Sequence, residues 1–134
     1  MKKQNFIFIS LILLFTSCDP PHDLIFINNS QSVATIRIDI DTTNEFNKFR
    51  YFDELKSDSL IYKIKPKDTI TMFFGIGTWS DKEVREVANS ITKIEMENSD
   101  FKTIYKSNNA IKKLLMDNRD DKIGWETEII IEIK

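Results

Sequence analysis

The sequence predicts a mainly β chain, an antiparallel two-layer β-sandwich of immunoglobulin-like or transthyretin-like topology with one to three short helices. Three observations predict it. Seven or eight short segments alternate apolar and polar residues, the period of a half-buried strand. Clusters of Asn, Ser, Asp, Gly and Pro separate them at short intervals, as turns do. Helix-start signals are few, the clearest at Ser80.

The segments run in order as follows. Leu24 to Ile27 is a short apolar run that stops at Asn28-Asn29-Ser30, residues that favour a turn. Val33 to Ile40 then alternates, with Ile36, Ile38 and Ile40 on one face and Arg37 and Asp39 on the other. These two runs read as a hairpin. Leu60 to Lys65 and Thr69 to Phe74 flank Pro66-Lys67-Asp68, with Pro suited to the second position of a turn. That pair is the clearest hairpin pattern in the chain. Gly75-Ile76-Gly77 lacks the third glycine of a dinucleotide-binding loop and reads as a turn or bulge. Ser80 and Glu83 match a capping box, so a helix is expected from Asp81 to Asn89.

Ile91 to Met96 and Phe101 to Lys106 are two further strands around an Asn98-Ser99-Asp100 turn. Ser107-Asn108-Asn109 heads a short helix carrying Ile111, Leu114 and Leu115. Residues 117–121 read as a polar loop. Trp125, Thr127, Ile129, Ile131 and Ile133 share one face of the last strand, with three glutamates opposite.

Residues 42–57 fit no strand. Phe46, Phe49, Phe52 and Leu55 recur every three residues, which suits a helical stripe or a loop laid on the sheet. Phe46, Phe49, Tyr51, Phe52 and Trp79 are therefore candidate ligand-facing aromatics. The favoured alternative is a lid closing one end of the core, with Trp79 and Trp125 as core plugs.

The first residues carry the most specific signal. Lys2 and Lys3 precede a ten-residue apolar run, Phe6 to Phe15, which is too short for a bilayer span of ~20 residues. A basic start followed by such a run is the pattern of an export signal. Phe15-Thr16-Ser17-Cys18 resembles the lipobox of bacterial lipoproteins, with Phe15 where that family usually has Leu. With its Ile, Lys, Asn and Phe richness, the chain resembles the small lipoproteins of Bacteroidetes. The resemblance covers residues 1–18 and implies cleavage before Cys18 and diacylglyceryl attachment to its thiol. Cys18 is the only cysteine, so no internal disulfide competes for it. Asp19-Pro20-Pro21-His22-Asp23 reads as an extended tether of roughly 15 Å at ~3.1 Å per residue. The expected organisation is a signal peptide over 1–17, lipidated Cys18 and tether over 18–23, and one β-sandwich domain over 24–134.

Loss of residues 1–17 removes Lys2 and Lys3 and no acid, taking the net charge from −2 to about −4. That argues against nucleic acid, which demands a basic surface. His22 is the only histidine and falls in the tether, so neither a Ser-His-Asp triad nor a zinc site is expected. The acids from Asp39 to Glu45 and those at 117–121 lack the calcium-loop pattern and read as solvated turns. No cofactor is expected. The functional expectation is a non-enzymatic binding or accessory lipoprotein of the cell envelope, facing the periplasm, with an envelope protein as partner. The rival expectations are an inhibitor or immunity-type lipoprotein and a glycan-binding accessory.

Overall fold

The computed structural model describes residues 20–45, 47–49, 52, 58–122 and 125–134, with the side chains of Asp121, Lys122 and Trp125 left aside. The expected signal peptide over 1–17 and Cys18 lie outside the described residues. The chain runs β1 (Pro21–Asn28), β2 (Ala34–Ile40), β3 (Ser59–Ile64), β4 (Thr69–Ile76), α1 (Asp81–Asn89), β5 (Ile91–Glu97), β6 (Lys102–Tyr105), α2 (Asn108–Asp117), β7 (Arg119–Lys122) and β8 (Trp125–Ile133). The strands form two four-stranded sheets, β4-β1-β8-β7 (sheet A) and β3-β2-β5-β6 (sheet B). The mainly β sandwich with few helices is as the alternation predicts. The immunoglobulin arrangement groups its first, second, fourth and fifth strands in one sheet, and this chain does not.

Both expected early hairpins are replaced by crossings between sheets. β1 pairs with β4 and β8, whereas β2 pairs with β3 and β5. Residues 29–33 therefore carry the chain from sheet A to sheet B, and the Pro66-Lys67-Asp68 turn carries it back. Alternation tells which side chains face inward, but an arch between sheets and a hairpin within one share the same pattern. Asn28 explains the first crossing. Its buried side chain donates to the carbonyls of Ser32 (2.8 Å) and Ile64 (2.9 Å) and accepts from the Ser30 N–H (3.0 Å) and hydroxyl (2.7 Å). A buried amide so fully partnered ties the end of β1 to the end of β3. At the second crossing Lys67 takes a φ of 65° and its N–H bonds the Asn28 carbonyl at 2.8 Å. Only β5 and β6 form the hairpin expected of them.

One pairing is parallel. β8 lies beside β1 in parallel register, Leu24 opposite Ile129 and Phe26 opposite Ile131. The two strands come from opposite ends of the domain, so no tight turn constrains their direction. Leu24, Phe26, Ile129 and Ile131 from sheet A meet Ile36, Ile38, Leu60 and Ile94 from sheet B, all at 2% exposure or less.

The helices begin where expected. Ser80 Oγ accepts the Glu83 N–H (3.2 Å) and Glu83 Oε2 accepts the Ser80 N–H (3.0 Å), closing the capping box. α1 buries Val84, Val87 and Ala88. α2 starts with Ser107 Oγ accepting the Ala110 N–H at 3.2 Å and buries Ile111 and Leu115. The loop expected at 117–121 is corrected: Arg119 to Lys122 pair with β8 as the short strand β7. Arg-Asp-Asp-Lys has no apolar residue, so nothing in its own pattern marks a strand.

The tether is shorter than the sequence suggests. Pro21, His22 and Asp23 belong to β1, with Pro21 opposite Ile76 and Asp23 opposite Phe73. Pairing with β4 draws them in, and only Asp19 and Pro20 separate Cys18 from the strand.

Candidate functional site

The short β7 leaves a concavity beside β8. It reaches only to Ile129 in register, through Arg119. The last bond on that side is the Ile130 N–H to the Asn118 carbonyl, 2.9 Å. β8 then runs on through Ile133 with no described strand on its β7 edge. The Asn29 N–H bonds the Ile133 carbonyl on the β1 side at 2.7 Å. Successive residues of a strand point their backbone groups to opposite edges, so the N–H and C=O of Glu132 point to the open edge. A groove of about 540 Å³ lies there. Met96, Tyr105 and Leu114, from β5, β6 and α2, form its apolar floor, and Ile130, Glu132 and Lys134 border it on β8.

Arg119 closes the far end. Its Nη1 donates to the Trp79 carbonyl at 2.9 Å and sits 2.9 Å from both Asp81 Oδ1 and Glu126 Oε2. Its side chain is 17% exposed and its Nε is buried with no hydrogen-bond partner. The guanidinium thus locks the loop before α1 to sheet A. An open β edge above an apolar floor suits an extended peptide, whose backbone pairs with the edge while alternate side chains fill the floor. The sequence gives no sign of this groove, because it depends on where a strand without apolar residues stops.

The aromatic candidates separate into core and undescribed residues. Phe49 and Trp79 are fully buried, so as ligand-facing residues they are corrected to core. Phe49 packs on Phe74 at 5.3 Å and Trp79 on Phe74 at 5.2 Å between ring centroids. Phe52 is half-buried and packs 5.2 Å from Phe74. Phe46 and Tyr51 lie outside the described residues. Trp79 satisfies its indole N–H on the Asp23 carbonyl at 3.0 Å. This end of the sandwich is therefore closed by aromatic packing, as the lid alternative expects.

His22 belongs to that closure. Its ring meets Trp79 edge-on at 4.6 Å and is 7% exposed. Gly75 and Gly77 lie beside it at φ values of 122° and 141°, which side-chain-bearing residues rarely adopt. Burial lowers the His22 pKa; nearby Glu83 and Asp23 act in the opposite sense, and Lys48 adds to the lowering. Its Nδ1 is buried without a partner. Asp23, on the other side of β1, has its pKa raised by burial and by Glu128.

Asp39 and Asp41, of the first acidic cluster, are occupied by their own neighbours. Asp39 binds Arg37 (2.7 Å), Lys93 (2.8 Å) and the Ser59 hydroxyl (2.8 Å). Asp41 accepts from the Thr43 N–H at 3.0 Å and hydroxyl at 2.6 Å, an Asx turn. Among the described residues no group of three or more His, Cys, Asp or Glu is placed to hold a metal ion.

No family model, curated protein or solved structure matches the chain.

Proposed function

We propose that the chain is a cell-envelope lipoprotein, anchored by lipid on Cys18, whose sandwich is a non-enzymatic module that binds an extended segment of an envelope protein in the β8 groove. The observation that carries the binding reading is the open edge at Glu132 above Met96, Tyr105 and Leu114. Strand addition draws affinity from an unpaired edge and selectivity from the side chains beneath it, and this groove sets the Glu132 edge over Met96, Tyr105 and Leu114. The anchor rests on Lys2, Lys3, the apolar run and Phe15-Thr16-Ser17-Cys18. Two or three acyl chains make such attachment effectively permanent, where one holds only marginally. The start of β1 at Pro21 fits an anchored domain held close to the bilayer. With Phe49 and Trp79 buried, the glycan-platform alternative loses two of its five residues.

Two measurements test this. Labelled palmitate should enter the wild-type chain and not Cys18→Ser; soluble export of the wild type defeats the anchor. A photo-crosslinking residue at Glu132 should give a discrete adduct in cells that Leu114→Arg abolishes. Equal adducts from Glu132 and from Arg37, on the opposite sheet, defeat the groove.

A further inference from the structure

The two sheets expose four edge strands, and one of them differs from the rest. β3 carries Lys63, β6 carries Lys102 and β7 is Arg-Asp-Asp-Lys. β4 reads Thr-Ile-Thr-Met-Phe-Phe-Gly-Ile, eight residues without a charge. Proteins that stay monomeric blunt their edges with charges, Pro or bulges, because an edge is a row of unpaired backbone groups. In β4 the only irregularity falls where Pro21 to Asp23 pairs with Ile76 to Phe73. Thr69 to Phe73 is thus a regular edge of strand-favouring residues. Phe73 and Ile76 stand 57% and 66% exposed on its outer side.

The register says which groups this edge offers. The Asn28 N–H bonds the Asp68 carbonyl at 3.0 Å, so even-numbered residues of β4 face β1. Thr69, Thr71 and Phe73 turn their N–H and C=O groups outward. Among the described residues no strand pairs with that side.

We propose that β4 is a self-association edge, pairing antiparallel with β4 of a second copy about a two-fold axis at Thr71. In that register Thr71 faces its own copy and Thr69 faces Phe73 of the other chain. Three facing pairs exchange about six backbone hydrogen bonds. On the outer side Phe73 covers Thr69 of the other copy, and on the inner side Ile70 faces Met72. Sheet A becomes one eight-stranded sheet across the dimer. The occupant is a second copy because a two-fold pair requires an edge complementary to itself. A strand with no charge presents no like charges across the axis, whereas β7 paired end to end with itself would set Arg119 against Lys122 and Asp120 against Asp121. The dimer leaves the β8 groove free, since β4 and β7 are opposite edges of sheet A. It does not rest on the anchor.

The test uses single cysteines in the full chain, expressed in a bacterial envelope and read on non-reducing gels. Thr71→Cys should give a disulfide-linked dimer, because facing Cα atoms about 5.5 Å apart fall in the disulfide range of about 4.4–6.8 Å. Thr69→Cys alone should not, since the two copies of residue 69 lie roughly 14 Å apart at ~3.4 Å per residue. Differently tagged Thr69→Cys and Phe73→Cys chains, co-expressed, should link to each other. Adding Thr69→Lys to Thr71→Cys should reduce the dimer several-fold. Wild type, run alongside, shows whether Cys18 itself is a free thiol, so a failed anchor is read separately. Equal dimer from Lys63→Cys or Lys102→Cys overturns the proposal. So does a Thr71→Cys chain present at wild-type level that stays monomeric, or one that links only to a protein of another mass.

Discussion

The outer faces of the two sheets are built from different chemistry. On sheet B, Arg37 and Lys93 clasp Asp39 at 2.7 and 2.8 Å, while Lys102 bridges Glu95 and Glu97 at 2.7 and 3.0 Å. Charges of opposite sign sit on neighbouring strands along the middle of that face, while its edge strands expose Ile61 and Ile104. On sheet A the corresponding positions hold Ile25, Ile27, Phe73 and Ile130, with Asp23, Glu128 and Glu132 among them. Ile25 lies opposite Ile130, so two aliphatic side chains shelter one another at the centre of the face. Where ion pairs cover a face, as on β2 and β5, solvent finishes it. A face of half-buried isoleucines beside an uncharged edge is suited to contact with protein. The difference teaches that the two open edges proposed for contact, at β8 and at β4, both belong to sheet A, although β5, β6 and α2 supply the groove floor.

The largest test asks whether the inner faces are equivalent while the outer ones differ. Ile38→Ala in sheet B and Ile129→Ala in sheet A each empty a fully buried site. Each should cost about 2–5 kcal/mol in urea unfolding, the range for truncating a buried aliphatic residue. Ile25→Thr, on the outer face of sheet A, should cost less than about 1.5 kcal/mol. An Ile25→Thr loss as large as that of Ile129→Ala would mean that the outer face is already part of a core.

Much of this fold is legible in the sequence, for reasons the comparison makes plain. β2 alternates strictly, and β5 does so from Ile94 onwards past a bulge, because their outer positions meet water and carry charge. The capping box at Ser80 and Glu83 is a local device and needs nothing beyond four residues. Sheet assignment is not local. Asn28 holds β1 and β3 together through a buried amide, and neither the pattern of β1 nor that of β2 reveals it. His22 reads as tether because Pro20-Pro21 precedes it, yet pairing with β4 and the Trp79 ring draw it inside. β7 is a strand only because β8 accepts it, and the groove follows from where it stops. The lipobox-like pattern, by contrast, is read entirely from residues 1–18.

Acid should unfold the two sheets' contributions in sequence. Burial lowers the His22 pKa below its ordinary 6.5, so the folded chain binds fewer protons at His22 than the unfolded chain does. Its contribution is intact above about pH 6.5 and is lost as pH falls through the folded value. Burial opposes ionisation of Asp39, but hydrogen bonds from Lys93, Arg37 and Ser59 outweigh it and hold the carboxyl at about 2, against 3.8 unperturbed. That contribution is intact above pH 3.8 and disappears as pH falls towards 2. Urea midpoints across pH should therefore decline first through His22 and later through Asp39. His22→Phe should flatten the first decline and leave the second, and Asp39→Asn the reverse. Parallel curves for His22→Phe and wild type between about pH 7 and 5 would remove His22 from this account.

The smallest effect separates the solvated face from a buried one. Lys93 lies 2.8 Å from Asp39, with side chains 23% and 22% exposed. Ion pairs that keep contact with water contribute about 1 kcal/mol or less, and salt screens them. A double-mutant cycle of Lys93→Met and Asp39→Asn should give a coupling of that size, shrinking as sodium chloride rises. Arg37 and Ser59 still hold Asp39 when Lys93 is gone, so the carboxylate is not stranded. A coupling of several kcal/mol that ignored salt would instead describe a buried pair, with a large penalty for the unpaired partner. Sheet B would then need a covering of its own, and the contrast between its face and that of sheet A would fail.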